Sequence, residues 1–193
     1  MLIGLTGGIG SGKTTIAKEL ERRGYAVYYS DSEAKRIITG NPAVRSQIEY
    51  IFGSDVFNGD VYRTNIVAKA VFQNPTLLQK LNHIVHPAVR FDVKHWAKEK
   101  DLCFVESALL FSSGLAEECD LTVVVTAPEE LRIQRVIKRD KSTREQVRER
   151  IQAQDAEAQA EYKADLVVVD DEETEITQLV DNMLYNIKTA LAQ

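Results

Sequence analysis

The sequence predicts an α/β fold in which a parallel sheet is covered by helices on both faces. Short β-rich apolar runs alternate with longer segments of helical periodicity. The first of these runs ends on a glycine-rich loop that opens directly into a helix. Between Tyr29 and Leu102 no strand is evident, so a long helical insertion interrupts the alternation.

In order, Ile3 to Thr6 reads as the first strand and Lys13 to Arg23 as a helix with Ile16, Ala17 and Leu20 on one face, stopped by Gly24. Tyr25 to Tyr29 is the second strand. Ser30 with Glu33 has the spacing of a capping box and starts the next helix. Asn41-Pro42 opens a mostly helical stretch, and Gly53, Asn58 and Gly59 mark a turn or short hairpin. Helical patterns resume over 63–72 and 75–100, with Pro87 expected to kink or break the second. Leu102 to Val105 and Leu121 to Thr126 restore the strands, each followed by helical segments. Ser142-Thr143-Arg144-Glu145 is a second capping box, Leu166 to Val169 the last strand, and 173–191 the closing helix.

Composition narrows the function. The chain has 193 residues with 44% hydrophobic and 27% charged side chains, an ordinary globular balance. A net charge of −5 argues against a protein that coats nucleic acid. No apolar run is long enough to span a bilayer, so no membrane role is expected. Met1 to Thr6 lacks a basic start and reads as a strand rather than a signal peptide. Cys103 and Cys119 have no metal-ligand spacing and read as reduced thiols, which fits a cytoplasmic protein.

Gly7-Gly8-Ile9-Gly10-Ser11-Gly12-Lys13-Thr14 matches G-x-x-x-x-G-K-[ST], the P-loop. Glycines let the backbone curl so that successive N–H groups face phosphate oxygens, and the following helix adds its positive end. Gly10, Ser11, Gly12, Lys13, Thr14 and Thr15 are the expected nucleotide-binding segment. Lys13 reaches the β- and γ-phosphates, and the Thr14 hydroxyl is the expected Mg²⁺ ligand. The fold is then a P-loop NTPase-type parallel sheet sandwiched by helices. Neither the D-x-x-G nor the N-K-x-D motif of GTPases occurs. A motor or transporter ATPase would need a larger chain. A small-molecule kinase using ATP and Mg²⁺ remains, which requires an acceptor site, a base and a basic lid.

Asp31 follows the second strand at the carboxyl edge of the sheet, where ligands bind in open α/β folds. It reads either as the base for an attacking hydroxyl or as a stabiliser of the helix start. Arg132, Arg135 and Arg139 share one helix face, with Arg144 and Arg148 beyond. They read either as a solvated face or as a phosphate-clamping lid. Glu106 ends its strand as a Walker-B-like carboxylate or a structural one. His86 reads as an anion contact or a core residue.

The ordered set of motifs resembles the bacterial dephospho-CoA kinases over roughly Met1 to Asp171. Beside the loop, the resemblance rests on Asp31, Arg63, Phe72, His86-Pro87, Leu109-Leu110-Phe111, Gln134-Arg135, Arg139-Asp140, Arg150-Ile151 with Gln154, and Ala164-Asp165. The family's Asp-x-Asp reads Tyr29-Ser30-Asp31 here, leaving Asp31 as its only carboxylate. Its Pro-Leu-Leu-Phe-Glu ends on Ser112, and its Asp-Asn near adenine reads Asp170-Asp171. The resemblance implies transfer of the ATP γ-phosphate to the ribose 3′-hydroxyl of dephospho-CoA. It implies catalytic roles for Lys13, Asp31 and Arg139, nucleotide contacts from Arg135 and Arg139, and substrate contacts from Asp31, Arg63 and His86. The implied organisation is a nucleotide-binding core over 1–58, 100–138 and 156–193, a helical substrate domain over 59–99 and a lid over 139–155. The alternative is another small-molecule or nucleotide monophosphate kinase of the same fold. Oligomeric state is not encoded in any motif.

Overall fold

The apolar runs pair into a sheet of five strands in the order β2-β5-β1-β6-β7. The strands are β1 (Leu2–Thr6), β2 (Ala26–Tyr29), β5 (Cys103–Glu106), β6 (Leu121–Thr126) and β7 (Leu166–Val169). β1 pairs in parallel with β5 and β6, and β6 with β7. This is a computed structural model, and it describes residues 1–154 and 163–192. Position 155 of the expected lid, and positions 156–162 and 193 of the expected core, lie outside the described residues.

The chain divides into two compact units. The first comprises Met1–Tyr28 with Glu99–Gln193, the second Tyr29–Lys98. In the first unit, β1 is buried along its whole length because strands flank it on both edges and helices cover its faces. β7, at the sheet edge, alternates instead, with Val167 and Val169 about half exposed. Helix α1 (Lys13–Arg22) buries Ile16, Ala17 and Leu20, the face expected from their spacing. Two carboxylates fix the strand register. Asp120 accepts the Leu2 N–H at 2.7 Å, and Asp165 accepts both the N–H and the hydroxyl of Thr122 at 2.7 Å. The remaining helices of this unit are α6 (Glu129–Asp140), α7 (Arg144–Ala153) and α8 (Ile176–Ala190).

The second unit holds α2 (Ser30–Gly40), α3 (Pro42–Phe52), a two-residue hairpin of β3 (Phe57–Asn58) and β4 (Val61–Tyr62), α4 (Thr64–Gln73) and α5 (Pro75–Ala97). Asn41 and Asn74 cap α3 and α5, each followed by a proline whose missing N–H needs no partner there. Arg36 joins α2 to α5 by pairing with Glu33 and, at 2.6 Å, with Asp92.

Three local expectations change. Pro87 does not break α5: Val85, Val89 and Val93 form one buried stripe on either side of it, and that packing carries the helix through. Ser30 does not cap α2. The strand passes directly into the helix, Tyr29 stands at the cap, and Glu33 turns to Arg36 instead. The second capping box is shifted by one residue. The Thr143 side chain accepts the Gln146 N–H while Gln146 reaches back to the Thr143 N–H, because T-x-x-Q satisfies the same geometry as S-x-x-E.

Candidate active site

The strongest chemistry lies in the first unit, at the carboxyl end of β1. The loop after β1 turns through positive φ at Gly10 and Gly12, 80° and 97°, before α1 begins. Gly12 has a second reason to lack a side chain: a Cβ there would lie 2.3 Å from Asp170 Oδ2. Ser11 donates its N–H to Gly8 O at 3.1 Å, which closes the turn. The Ser11 hydroxyl oxygen is buried with no partner among the described residues, a group that a bound phosphate oxygen would satisfy.

Register brings the acidic group to the loop. Leu5 of β1 faces Glu106 of β5, so the carboxylate ends up beside the first turn of α1. Glu106 is 7% exposed. Lys13 Nζ stands 3.8 Å from Glu106 Oε1, and Thr14 Oγ1 donates to the same oxygen at 3.3 Å. An ammonium, a hydroxyl and a buried carboxylate therefore converge at the positive end of α1.

A cleft of about 500 Å³ opens over this cluster, lined by Gly10 to Thr15, Arg135, Arg139, Asp170, Glu172 and residues 174–176. The six predicted loop residues and both predicted arginines thus share one cavity. The two arginines differ in their state. Arg135 donates to Asp170 at 3.0 Å, to Glu172 at 3.0 Å and to Gly10 O at 3.3 Å, so it braces the loop against the end of β7. Arg139 is exposed and donates to Asp140 at 2.7 and 3.1 Å. Asp140 is shared with Arg150 at 2.8 Å. Hydrogen bonds from Arg139 and then Arg150 hold the Asp140 carboxyl well below the ordinary range, so it stays charged at any working pH. The other lid arginines are ion-paired: Arg144 with Glu130, and Arg148 with Glu129 at 3.9 Å.

The remaining predicted residues belong to the second unit. Asp31 is exposed in the first turn of α2, two residues beyond β2. Arg63 is exposed at the start of α4, its guanidinium 3.4 Å from Asp55 O. His86 is half-buried on α5. Burial, then Arg90 and His83, push its imidazole below its usual pKa, so it is neutral at pH 7 and offers a hydrogen bond rather than a charge.

The dephospho-CoA kinase family model matches residues 1–176. The chain belongs to the dephospho-CoA kinase family. The dephospho-CoA kinase of Porphyromonas gingivalis is 42% identical over 157 residues, covering 80% of this chain and 78% of that one. That of Bacteroides fragilis is 37% identical over 174 residues, 89% and 85% of the two chains. Among solved structures, TT1252 from Thermus thermophilus is 31% identical, covers 99% of this chain and 97% of its own, and superposes with a TM-score of 0.82. A dephospho-CoA kinase from Campylobacter jejuni, 23% identical and covering 98% of each chain, shares the fold at a TM-score of 0.71. This family member is a phosphotransferase with an alcohol acceptor, and ATP is its phosphoryl donor.

Family motifs acquire physical reasons in this chain. Asp165, from the Ala-Asp pair, is the anchor of β6. Asp170, from the pair before the closing helix, holds Arg135. Neither role is legible locally, because each partner lies more than 30 residues away in the chain. Glu106, left open by the sequence, could have been placed by pairing its strand with β1.

Proposed function

We propose that this chain transfers the γ-phosphoryl group of ATP to the ribose 3′-hydroxyl of dephospho-CoA, giving coenzyme A and ADP, the last step of coenzyme A synthesis. The observation that carries the reading is the convergence of Lys13, Thr14 and Glu106 beneath a cleft lined by the phosphate loop, in a chain matched by the dephospho-CoA kinase model over 1–176.

Phosphoryl transfer asks for positioning and charge stabilisation. The loop N–H groups and Lys13 receive the phosphates, and Lys13 follows the charge that builds on the transferred group. Arg139 turns from Asp140 to the phosphates when the nucleotide is bound. Asp31 accepts the proton of the attacking hydroxyl. His86 and Arg63 contact the acceptor, Arg63 by charge and His86 as a neutral donor.

Mg²⁺ fits the donor set, since Thr14 and Glu106 supply hard oxygens side by side and Mg²⁺ takes few protein ligands beside phosphates and water. Thr14 would hold it directly and Glu106 through water. When bound, it neutralises phosphate charge. Among the described residues no helix is long and apolar enough to cross a membrane.

An ADP-release assay across dephospho-CoA, nucleoside monophosphates and shikimate tests the reading. Turnover is expected with dephospho-CoA alone. Turnover with one of the others, and none with dephospho-CoA, would assign a different acceptor.

A further inference from the structure

Ile9 stands at the apex of the phosphate loop, and all three of its parts are held by α6 and α7. Its N–H donates to Gln154 Oε1 at 2.7 Å. Its carbonyl accepts from Arg132 Nε at 3.0 Å. Its side chain is buried with Ile133 and Val136 of α6 and Val147 and Ile151 of α7. The neighbouring glycine makes room for this contact, since a Cβ at Gly10 would lie 2.6 Å from the carbonyl oxygen of Arg132.

Gln154 is the cap residue at the carboxyl end of α7, the helix within the expected lid. Its hydrogen bond spans 145 residues of sequence. The peptide it grips lies directly before Gly10, Ser11 and Gly12, whose N–H directions decide how the loop receives phosphate. Moving α7 therefore turns the loop, and fixing the loop fixes α7.

We infer that Gln154 is a positioning residue that couples α7 to the phosphate loop through the Ile9 peptide, so that nucleotide binding and the order of α7 reinforce one another. The inference rests on the nucleotide site of the proposed function. Linkage makes the effect reciprocal. A nucleotide that orders the loop must order α7, and loss of the Gln154 acceptor must weaken the nucleotide.

Two measurements test this, with ADP as the probe. In the wild-type chain, saturating ADP should slow amide exchange within residues 144–153, the α7 helix. Gln154→Met keeps the bulk but leaves the Ile9 N–H without its acceptor, and should weaken ADP by about tenfold. It should also abolish the ADP-dependent protection of α7 and leave dephospho-CoA affinity unchanged. Gln154→Glu retains an acceptor oxygen and should restore ADP affinity. If Gln154→Met merely lowers the melting temperature while ADP binds as before, the residue only supports the fold. Unaltered exchange in wild-type α7 on ADP binding would overturn the coupling even if the variant failed to fold. Absence of ADP binding to the wild type would instead overturn the nucleotide site itself.

Discussion

Lys13 is the side chain on which most of the chemistry converges. It sits where α1 presents its positive end and pairs at 3.8 Å with a carboxylate that is almost wholly buried. A charge held in so dry a place acts strongly on a developing anion. Lys13→Ala should lower kcat by about a hundredfold or more in steady-state assays. A near wild-type rate would remove Lys13 from the mechanism. Asp31 has a cleaner test, because Tyr29 stands at the cap of α2 and, among the described residues, no side chain makes a cap hydrogen bond there. Asp31→Asn should lose most of kcat with ADP affinity and melting temperature little changed. A drop in stability without a specific rate defect would make Asp31 a helix residue only. At this scale the sequence was legible wherever chemistry is local. The eight-residue loop motif located the site because its backbone curl, its lysine and its hydroxyl are all specified within one turn of chain. Glu106, Asp170 and Gln154 were not legible in that way. Each meets the loop only through strand register or helix packing, and neither leaves a trace in neighbouring residues.

Helices α1, α6 and α7 carry the next set of consequences. The arginine face on α6 was read as either solvated or functional, and the structure divides it. Arg132 and Arg135 are committed to the phosphate loop and the end of β7, while Arg139 lines the cleft and pairs with Asp140. The planar fork of Arg139 matches phosphate oxygens in a way an ammonium cannot. Arg139→Lys should reduce kcat/KM, whereas Arg22→Lys, on the exposed side of α1, should not. Equal values for the two would return Arg139 to the solvated face. α1 is also tied to α8 by charge. Glu19 accepts from both Arg22 and Arg23, and Arg23 reaches Asp181 and the Thr177 carbonyl of α8. Those two arginines hold the Glu19 carboxyl down to about 2, against an ordinary value of 4.5. A carboxyl lowered in the folded state adds stability above its ordinary pKa and loses it as pH falls through the folded value. The Glu19 contribution is therefore complete at neutral pH and fades between about 4.5 and 2. Glu19→Gln should lower the melting temperature at neutral pH and flatten its decline over that acid range. A parallel displacement of the whole pH curve would show that the stability Glu19 adds does not come from its charge on Arg22 and Arg23.

Across the whole molecule, strand-helix alternation announced the parallel sheet. The places where expectation and structure part are informative for the same reason. Pro87 was expected to kink or break α5, and it does not break it, because sequence shows the lost N–H but not the buried stripe of Val85, Val89 and Val93. The strand order, with β1 central, follows from register and could not be read from spacing alone. The first unit holds the glycine-rich loop, Lys13 and Thr14 beside one cleft, and family membership supplies the acceptor. What distinguishes this enzyme is then the hydroxyl that receives the phosphate. Phosphorus NMR of the product formed from ATP and dephospho-CoA tests it most directly. A new phosphomonoester on the ribose 3′ carbon is expected, appearing in step with ADP and about a hundredfold more slowly with Lys13→Ala. Phosphate on another position of dephospho-CoA, or ADP formed with only inorganic phosphate beside it, would contradict it.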